Sequence, residues 1–276
     1  MISLVTDSSC DLPKEYIEKY SINVVPLTVS IDGKDYIEGI DIQSKEFAPM
    51  MLSAKDLPKT SMPSPGRFAE TFKSLGNMGS ILCLTISSGL SGTYQSACLG
   101  RDLSGVDVKV IDTISGSIGH GLMLLKAAEH IQEGLKLDEI IKKIEEYKRI
   151  PNILVLLDTL ENIVKGGRLS KFHGSVAKAL DIKVILGNDG HGEVVMLEKI
   201  RGKKKFLKRA VEKVGEMKKD FSDTTFGITH IENIEDAEYL KSELIKKYNP
   251  KDVIINYMGS TMGTYAGKGG IILAFL

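Results

Sequence analysis

Hydroxyl and glycine residues are concentrated at residues 86–97, which read Ile-Ser-Ser-Gly-Leu-Ser-Gly-Thr-Tyr-Gln-Ser-Ala. An apolar run that predicts a strand precedes this turn, and we predict that Ser91 caps a helix reaching about residue 103. The free N–H groups and the positive end of the helix dipole then point at whatever the turn holds. Because the turn has no lysine or arginine, it suits a single carboxylate better than a triphosphate.

A second hydroxyl cluster lies at residues 60–68, which read Thr-Ser-Met-Pro-Ser-Pro-Gly-Arg-Phe. It precedes a predicted helix over residues 67–75, and its two prolines stiffen the approach. Two preorganised hydroxyl loops favour an anion site. Serine and glycine are also ordinary loop residues, so a purely structural role stays open for either motif taken alone.

Catalytic patterns are weaker in this chain. Ser91 lies in Gly-Leu-Ser-Gly-Thr, which lacks the second glycine of a G-x-S-x-G nucleophile elbow. The sequence has no Walker loop and no G-x-G-x-x-G fingerprint, so we expect neither an ATP site nor an NAD site. No metal-ligand spacing is present among the histidines His120, His130, His173, His191 and His230. A hydrolase or transferase that uses Ser91 as its nucleophile remains the alternative to binding.

Composition narrows the class of protein. The 276 residues are 42% hydrophobic, enough for a large core or two domains. Equal numbers of acidic and basic residues, 36 each, argue against a nucleic-acid partner. The cysteines Cys10, Cys83 and Cys98 suggest neither a disulfide framework nor a zinc site.

The start of the sequence lacks signal-peptide features, and no apolar run approaches the ~20 residues of a membrane helix. We therefore expect a cytoplasmic protein without an integral membrane segment.

Strand and helix patterns alternate along the first half, which predicts an α/β fold with a parallel sheet covered by helices. Strands are predicted at residues 2–5, 23–31, 80–84 and 106–111, and helices at residues 13–20, 67–75, 93–103, 117–133 and 137–149. Because a proline at position 151 follows, we place a domain boundary there and assign residues 1–150 to an N-terminal domain that carries the carboxylate-binding turns.

Residues 151–276 are predicted to form a second α/β domain that provides the acyl-chain slot. Strands are predicted at residues 153–157, 182–186, 193–200, 224–231, 252–257 and 270–275, and helices at residues 203–219 and 234–248. The sequence Asn-Asp-Gly-His-Gly at residues 188–192 is typical of a hairpin turn, so the second sheet is expected to be mixed or antiparallel.

Six short motifs occur in order along the chain, at residues 5–13, 36–42, 60–68, 86–97, 158–171 and 263–275. The first reads Val-Thr-Asp-Ser-Ser-Cys-Asp-Leu-Pro, and the fifth contains Lys-Gly-Gly-Arg-Leu-Ser-Lys. Together they resemble the DegV family of bacterial lipid-binding proteins, which includes the fatty-acid-binding subunits of bacterial fatty acid kinase. The resemblance implies a non-catalytic carrier that binds a long-chain fatty acid between its two domains and needs no other cofactor. It further implies a separate ATP-dependent fatty acid kinase that receives the carboxyl group; a ligand sensor without a kinase is the other reading.

The resemblance also implies the parts of the site. The acyl tail would lie among apolar side chains of the second domain, where each buried methylene contributes about 0.8 kcal/mol. The carboxylate would be bound by Thr60, Ser61, Ser91 and the backbone N–H of Gly92. Partner or phosphate contact is implied for Glu38, Arg168 and Arg201. Flexible thioethers could line the wall of the slot, core packing is the alternative for each, and the methionines in question are Met50, Met51, Met258 and Met262.

A basic cluster adds to the expected partner surface. Residues 201–205 read Arg-Gly-Lys-Lys-Lys at the start of a predicted helix, where positive charge opposes the helix dipole. With Lys165, Arg168 and Lys171 this run could form a docking surface for an anionic partner, and a solvated face is the alternative.

The chain departs from the family pattern at residues 263–269, which read Gly-Thr-Tyr-Ala-Gly-Lys-Gly. Tyr265 stands in place of a histidine and Lys268 in place of a proline, and Glu38 replaces a typical aspartate. Tyr265 is then a head-group neighbour that donates a hydrogen bond but carries no positive charge at neutral pH. We expect fatty acid binding to survive the exchange and transfer to a kinase to change, with Lys268 restoring the charge. Packing of Tyr265 beside the tail is the alternative.

Overall fold

The computed structural model describes residues 1–149, 152–169 and 181–276. The strands of these ranges are β1 (Ile2–Asp7), β2 (Asn23–Val25), β3 (Thr28–Ile31), β4 (Lys34–Ile37), β5 (Lys59–Ser61), β6 (Ser80–Thr85), β7 (Val108–Asp112), β8 (Ile153–Leu157), β9 (Ile182–Asn188), β10 (Val194–Arg201), β11 (Thr225–His230), β12 (Asp252–Tyr257) and β13 (Ile271–Phe275). The helices are α1 (Lys14–Lys19), α2 (Ser44–Ser53), α3 (Pro65–Leu75), α4 (Thr93–Ser104), α5 (Ser117–Gln132), α6 (Leu137–Tyr147), α7 (Glu161–Lys165), α8 (Lys203–Met217), α9 (Ile234–Tyr248) and α10 (Ser260–Ala266).

A four-stranded parallel sheet in the order β2-β1-β6-β7 forms the N-terminal part of the fold, as predicted. Its strands read as continuous apolar runs because helices cover both faces. On one face Val5 and Ile81 pack with Phe68 and Phe72 of α3. On the other face Leu82 and Leu84 join the larger core that includes α5.

The strand predicted over residues 23–31 is two strands in two sheets. Pro26 separates them, since a proline has no N–H for a sheet ladder. The first part, β2, pairs with β1, whereas β3 belongs to an antiparallel sheet in the order β4-β3-β5. The sequence patterns do not predict this three-stranded sheet, although Asp32 and Gly33, both at positive φ, make a typical hairpin turn between β3 and β4.

A six-stranded mixed sheet in the order β10-β9-β8-β13-β11-β12 forms the C-terminal part. All its neighbours are antiparallel except β11 and β12. The predicted mixed sheet and the hairpin at residues 188–192, which joins β9 to β10, are therefore confirmed. Helices α8 and α9 cover one face, where Phe226, Phe275 and Leu240 are fully buried.

Helix α5 packs against both large sheets. It contacts β1 and β6 on one side and β11 and β13 on the other. Since a helix between two sheets has no solvent face, its sequence is apolar or small nearly all round, from Ile118 to Ala128. The boundary near residue 150 stays a prediction, and residues 150 and 151 lie outside the described residues.

The described helices include none with the length and apolar content to cross a bilayer. Among the described residues no group of three or more histidine, cysteine, aspartate or glutamate side chains could hold a metal ion. Each of the three cysteines is a free thiol.

Candidate functional site

An apolar cavity lies where β5, the turn after β6, β8 and α10 meet. Its polar wall consists of Thr60, Ser91, Arg168, Thr261 and Tyr265. Its apolar wall consists of Leu27, Ile86, Leu90, Val155, Ile163, Val194, Met262, Ala266 and Ile272. A mainly apolar cavity with a few convergent polar groups is the usual form of a small-molecule site.

The polar groups form one connected cluster. The Thr60 and Tyr265 hydroxyls lie 2.6 Å apart. The Arg168 guanidinium stacks over the Tyr265 ring, 4.8 Å from its centre. Nε of Arg168 donates to the Leu90 carbonyl at 3.2 Å, next to Ser91. These contacts bring a hydroxyl pair, a cation and the hydroxyl-rich turn together at one end of the cavity.

Gly166 makes the Tyr265 position possible. A Cβ atom at this glycine would collide with the Tyr265 ring. The Gly166 carbonyl also accepts a hydrogen bond from Nη1 of Arg168 at 2.7 Å. The Gly-Gly-Arg segment after α7 thus positions both the ring and the cation over it.

The turn after β6 differs from the prediction at the helix start. Helix α4 begins at Thr93 with Gly92 in the N-cap position, so Ser91 is not the cap. The Ser91 hydroxyl instead accepts from the Thr93 N–H at 3.3 Å and lies 2.8 Å from the Thr93 hydroxyl. Ser91 therefore stays at the cavity wall, two residues before the first residue of α4.

The two hydroxyl loops pack directly on each other. A Cβ atom at Gly92 would come within 2.6 Å of the Met62 sulfur, so glycine provides the space for this approach. The Ser96 hydroxyl donates to the Pro63 carbonyl at 2.5 Å. These contacts hold β5, which carries Thr60, against the turn that carries Ser91.

Thr60 and Ser61 point to opposite sides of β5. Thr60 lines the cavity, whereas Ser61 is exposed and is not among the cavity-lining residues. Successive side chains of a strand alternate in direction, so the two hydroxyls cannot face the same ligand from this strand. The structure therefore does not bring the predicted Ser61 side chain to the site.

The residues predicted to contact a partner do not lie on one surface. Arg168 lines the cavity, and Arg201 is exposed at the end of β10. Lys268 is exposed and does not line the cavity, so the cation beside Tyr265 is Arg168 and not Lys268. Lys203 pairs with Asp236 at 2.8 Å. Lys171 of the predicted basic cluster lies outside the described residues.

Glu38 is buried, with 7% of its surface exposed, and its predicted partner contact stays a prediction. Its Oε1 accepts from the Ser260 hydroxyl at 2.8 Å and from the Thr261 N–H at 2.7 Å. Its Oε2 accepts from the Thr261 hydroxyl at 2.8 Å and from the Ser8 hydroxyl. Glu38 thus anchors the start of α10, the helix that carries Met262 and Tyr265 into the cavity.

A second buried carboxyl, Asp11, supports the same helix. It accepts from the Gly259 N–H at 2.9 Å and from the Ser117 hydroxyl at the start of α5. Burial, with a smaller contribution from the nearby charge of Glu38, raises the pKa of Asp11 to about 8, while the bond from Ser117 acts in the opposite direction.

A second apolar compartment adjoins the cavity, and the two together form an apolar slot. The two compartments share Leu90, Val155, Val194, Met262 and Ile272. The slot then runs past Ile114, Gly116 and Ile153 to the β9–β10 hairpin. Of the methionines considered for the wall, Met262 lines it; Met51 and Met258 are buried in the core, and Met50 packs against that core.

The hairpin closes this side of the slot through specific contacts. The Ser87 hydroxyl donates to the Gly192 carbonyl at 2.9 Å, and a Cβ atom at Gly192 would collide with Ser87. The Asn188 side-chain amide donates to the Ile114 carbonyl. The second sheet therefore contacts the same turn that carries Ser91.

The described histidines are not arranged as bases for Ser91. His120 is buried and contacts Thr6 and the Leu84 carbonyl, and burial lowers its pKa. His130 contacts Glu133 and Tyr147, and His230 accepts from the Asn233 N–H. His191 is exposed, and His173 lies outside the described residues.

The sequence matches a known family model. The model is described as that of an uncharacterised protein of the DegV family, and it matches residues 1–276. This chain belongs to the DegV family. A DegV domain-containing protein of Caldanaerobacter subterraneus is 34% identical over 270 residues, which cover 96% of this chain and 95% of the relative.

Solved DegV-family structures share the whole fold. DegV of Bacillus subtilis, described as a fatty acid binding protein, has a TM-score of 0.89 and 32% identity, with 99% of this chain and 98% of that chain covered. A DegV family protein from Eubacterium eligens, loaded with heptadecanoic acid, has a TM-score of 0.88 and 29% identity, again with 99% and 98% covered.

Proposed function

We propose that this DegV-family protein binds a long-chain fatty acid in the cavity, with the carboxylate at the Thr60–Tyr265–Ser91 end and the acyl tail in the apolar slot. One observation supports the proposal most. The polar cluster lies at one end of the cavity, and the cavity shares wall residues with the next compartment of the apolar slot. The fatty acids bound by related DegV structures support it.

The carboxylate has both hydrogen-bond donors and a positive charge within reach. Ser91, Thr60 and Tyr265 offer hydroxyl groups, and Arg168 lines the same cavity. Hydrogen bonds to a charged group are worth about 1.5–3 kcal/mol each. The backbone N–H of Gly92 completes the proposed set of donors.

The tail supplies most of the affinity. Each buried methylene contributes about 0.8 kcal/mol, so a chain of some sixteen carbons outweighs any single polar contact. In this proposal residues 1–150 contribute the carboxylate-binding turns and residues 151–276 contribute most of the acyl slot. The polar end sets the direction in which the chain enters.

We further propose that the protein works in the cytoplasm and presents the carboxyl group to a separate ATP-dependent fatty acid kinase. The sequence has no nucleotide-binding motif that would phosphorylate the acid itself. Arg201 is exposed and available to an anionic partner surface, and Arg168 reaches the carboxylate end from the chain segment after α7.

Mass spectrometry of lipid extracted from the purified protein tests the binding proposal. We expect a long-chain fatty acid at about one equivalent, and rebinding after the lipid is removed. Phosphorylation of that acid by a fatty acid kinase from the same genome tests the partner. Acyl ester hydrolysis that is lost in Ser91→Ala would instead establish the hydrolase alternative.

A further inference from the structure

The side chain of Asn162, in α7, reaches across to the end of α10. Its Nδ2 donates to the Thr264 carbonyl at 2.9 Å. Because the last carbonyls of a helix have no partner within the helix, this bond satisfies a group that the end of α10 would otherwise leave open. Gly267, just after α10, provides the space, since a Cβ atom there would lie 3.1 Å from Nδ2 of Asn162. Asn162 therefore fastens α7 to the turn of α10 that carries Tyr265.

From Asn162 the contacts continue to the cation of the site. The Gly166 N–H donates to the Asn162 carbonyl at 2.8 Å, and the Gly166 carbonyl accepts from Nη1 of Arg168 at 2.7 Å. The Arg168 guanidinium in turn stacks over the Tyr265 ring. Since Tyr265 directly follows Thr264 in the chain, these contacts form a closed ring that begins and ends at Asn162.

This ring fixes the orientation of the guanidinium as well as its place. Nε of Arg168 donates to the Leu90 carbonyl and Nη1 to the Gly166 carbonyl, while the guanidinium lies over the Tyr265 ring. Two carbonyl acceptors and one stacked ring define the plane of a guanidinium, and that plane determines where its other N–H groups point. Bonds from arginine to a carboxylate depend on this geometry. A shift of α7 against α10 would therefore turn the cation away from a ligand.

We propose that Asn162 is the positioning residue that aims Arg168 at the carboxylate of the ligand. Asn162 itself does not line the cavity, so it acts through Arg168 and not by contact with the ligand. The preference of this protein for an ionised acid over a neutral lipid of the same length then depends on a side chain outside the site. This inference rests on the proposed function, since it requires the carboxylate to lie at the Thr60–Tyr265 end.

The test compares two ligands that differ only at the head group, tetradecanoic acid and tetradecan-1-ol. Both are titrated calorimetrically into the lipid-free protein at neutral pH. Asn162→Ala should weaken the acid by about tenfold and leave the alcohol within about twofold, because only the acid uses the aimed cation. A residue that merely supported the fold would change both affinities by the same factor.

A double-variant cycle shows whether the effect passes through Arg168. Arg168→Gln should weaken the acid at least as much as Asn162→Ala does. In the Arg168→Gln background the further change Asn162→Ala should alter acid affinity by less than about twofold, because there is no longer a cation to aim. Full additivity of the two losses would overturn the proposal.

Asn233 provides a matched control. Its Nδ2 also donates to a carbonyl of the chain near α10, that of Gly269, at 2.8 Å. None of the contacts that hold Arg168 involves Asn233. Asn233→Ala should therefore leave the affinities for the acid and the alcohol unchanged. Asn162→Leu, which keeps the side-chain volume and removes the donor, repeats the test if Asn162→Ala does not fold.

The outcomes separate this proposal from the proposed function. If the parent protein binds the acid but Asn162→Ala weakens the acid and the alcohol equally, or neither, the positioning role fails and fatty acid binding stands. If the parent protein binds no fatty acid, the proposed function fails and the positioning role fails with it.

Discussion

The hydroxyl groups of Thr60 and Tyr265 lie 2.6 Å apart, although 205 positions separate the two residues in the sequence. This contact joins β5 to α10 at the polar end of the cavity. A single proton lies between the two oxygens, and a carboxylate that enters can accept a hydrogen bond from either side chain. The pair therefore links the two hydroxyl loops to α10.

Loss of a head-group hydroxyl should weaken fatty acid binding without unfolding the protein. We expect Thr60→Ala and Ser91→Ala each to lower affinity roughly tenfold to a hundredfold, because each removes a hydrogen bond to a charged group. Isothermal titration with a saturated acid measures the effect. Ser61→Ala is the matched control, since its exposed hydroxyl faces away from the cavity on the same strand. Unchanged affinity in both Thr60→Ala and Ser91→Ala would move the carboxylate elsewhere.

Tyr265 and Lys268, two of the three residues predicted to depart from the family pattern, should behave differently. Tyr265→Phe should lower affinity about tenfold, because it removes the hydroxyl that faces Thr60. Lys268→Ala should leave affinity unchanged, since Lys268 is exposed and lies outside the cavity wall. A kinase assay on the same variants measures carboxyl transfer. Full activity in both variants would remove both residues from the transfer step.

Gly116 controls the length of chain that fits. A Cβ atom at this position would lie 3.3 Å from both the Leu90 and Met262 side chains, where the two compartments of the slot meet. Gly116 has extended backbone angles that other residues adopt, so Gly116→Leu should fold. The variant should shift the preferred saturated acid to one at least two carbons shorter.

Titration with acids of increasing length measures this shift. Two methylenes that no longer fit cost about 1.6 kcal/mol, or roughly fifteenfold in affinity. Octanoic acid is the internal control, because it ends before the blocked position and should bind both proteins equally. An identical length profile for Gly116→Leu and the parent protein would place the tail in a different channel.

Asp11 should make stability fall as pH rises. Its carboxyl has a pKa of about 8 in the folded protein because of burial, against about 3.9 in an unfolded chain. Between these values the folded state holds a proton that the unfolded state releases. The favourable contribution is therefore complete below about pH 4 and is lost as pH approaches about 8.

Asp11→Asn removes this titration. Relative to the parent protein, the variant should gain up to about 1.4 kcal/mol in free energy of unfolding for each pH unit across that window. Urea unfolding at several pH values, with the difference between the two proteins taken at each, provides the measurement. A difference that does not change with pH would show that Asp11 is ionised throughout the window.

The bounds of long periodic segments were predictable from the sequence. Short strands and a break at a single residue were not. Helix α9 and strands β8 and β12 have the predicted bounds because their patterns are long or end at clear turn residues. The break at Pro26 was missed because apolar residues continue on both sides of it. The short strands β4 and β5 lack a period long enough to detect.

The candidate site shows the same limit. The turn at residues 86–97 and Thr60 were predictable from residue type, but the outward direction of Ser61 depends on the register of β5, which no motif specifies. Arg168 was expected at a partner surface, and its stacking on Tyr265 arises from a contact between segments almost a hundred residues apart. The burial of Glu38 likewise depends on tertiary packing.

The position of β13 affects how the protein is made on the ribosome. It is last of the described strands in chain order, yet it lies in the middle of its sheet, between β8 and β11. Until residue 275 has emerged from the ribosome, β8 and β11 each have an unpaired edge. At a synthesis rate of roughly 5–20 residues per second, the edge of β8 stays unpaired for on the order of ten seconds. Exposed strand edges invite pairing with other chains. Nascent chains of this protein therefore expose two strand edges to such pairing for longer than a fold with its last strand at the rim would.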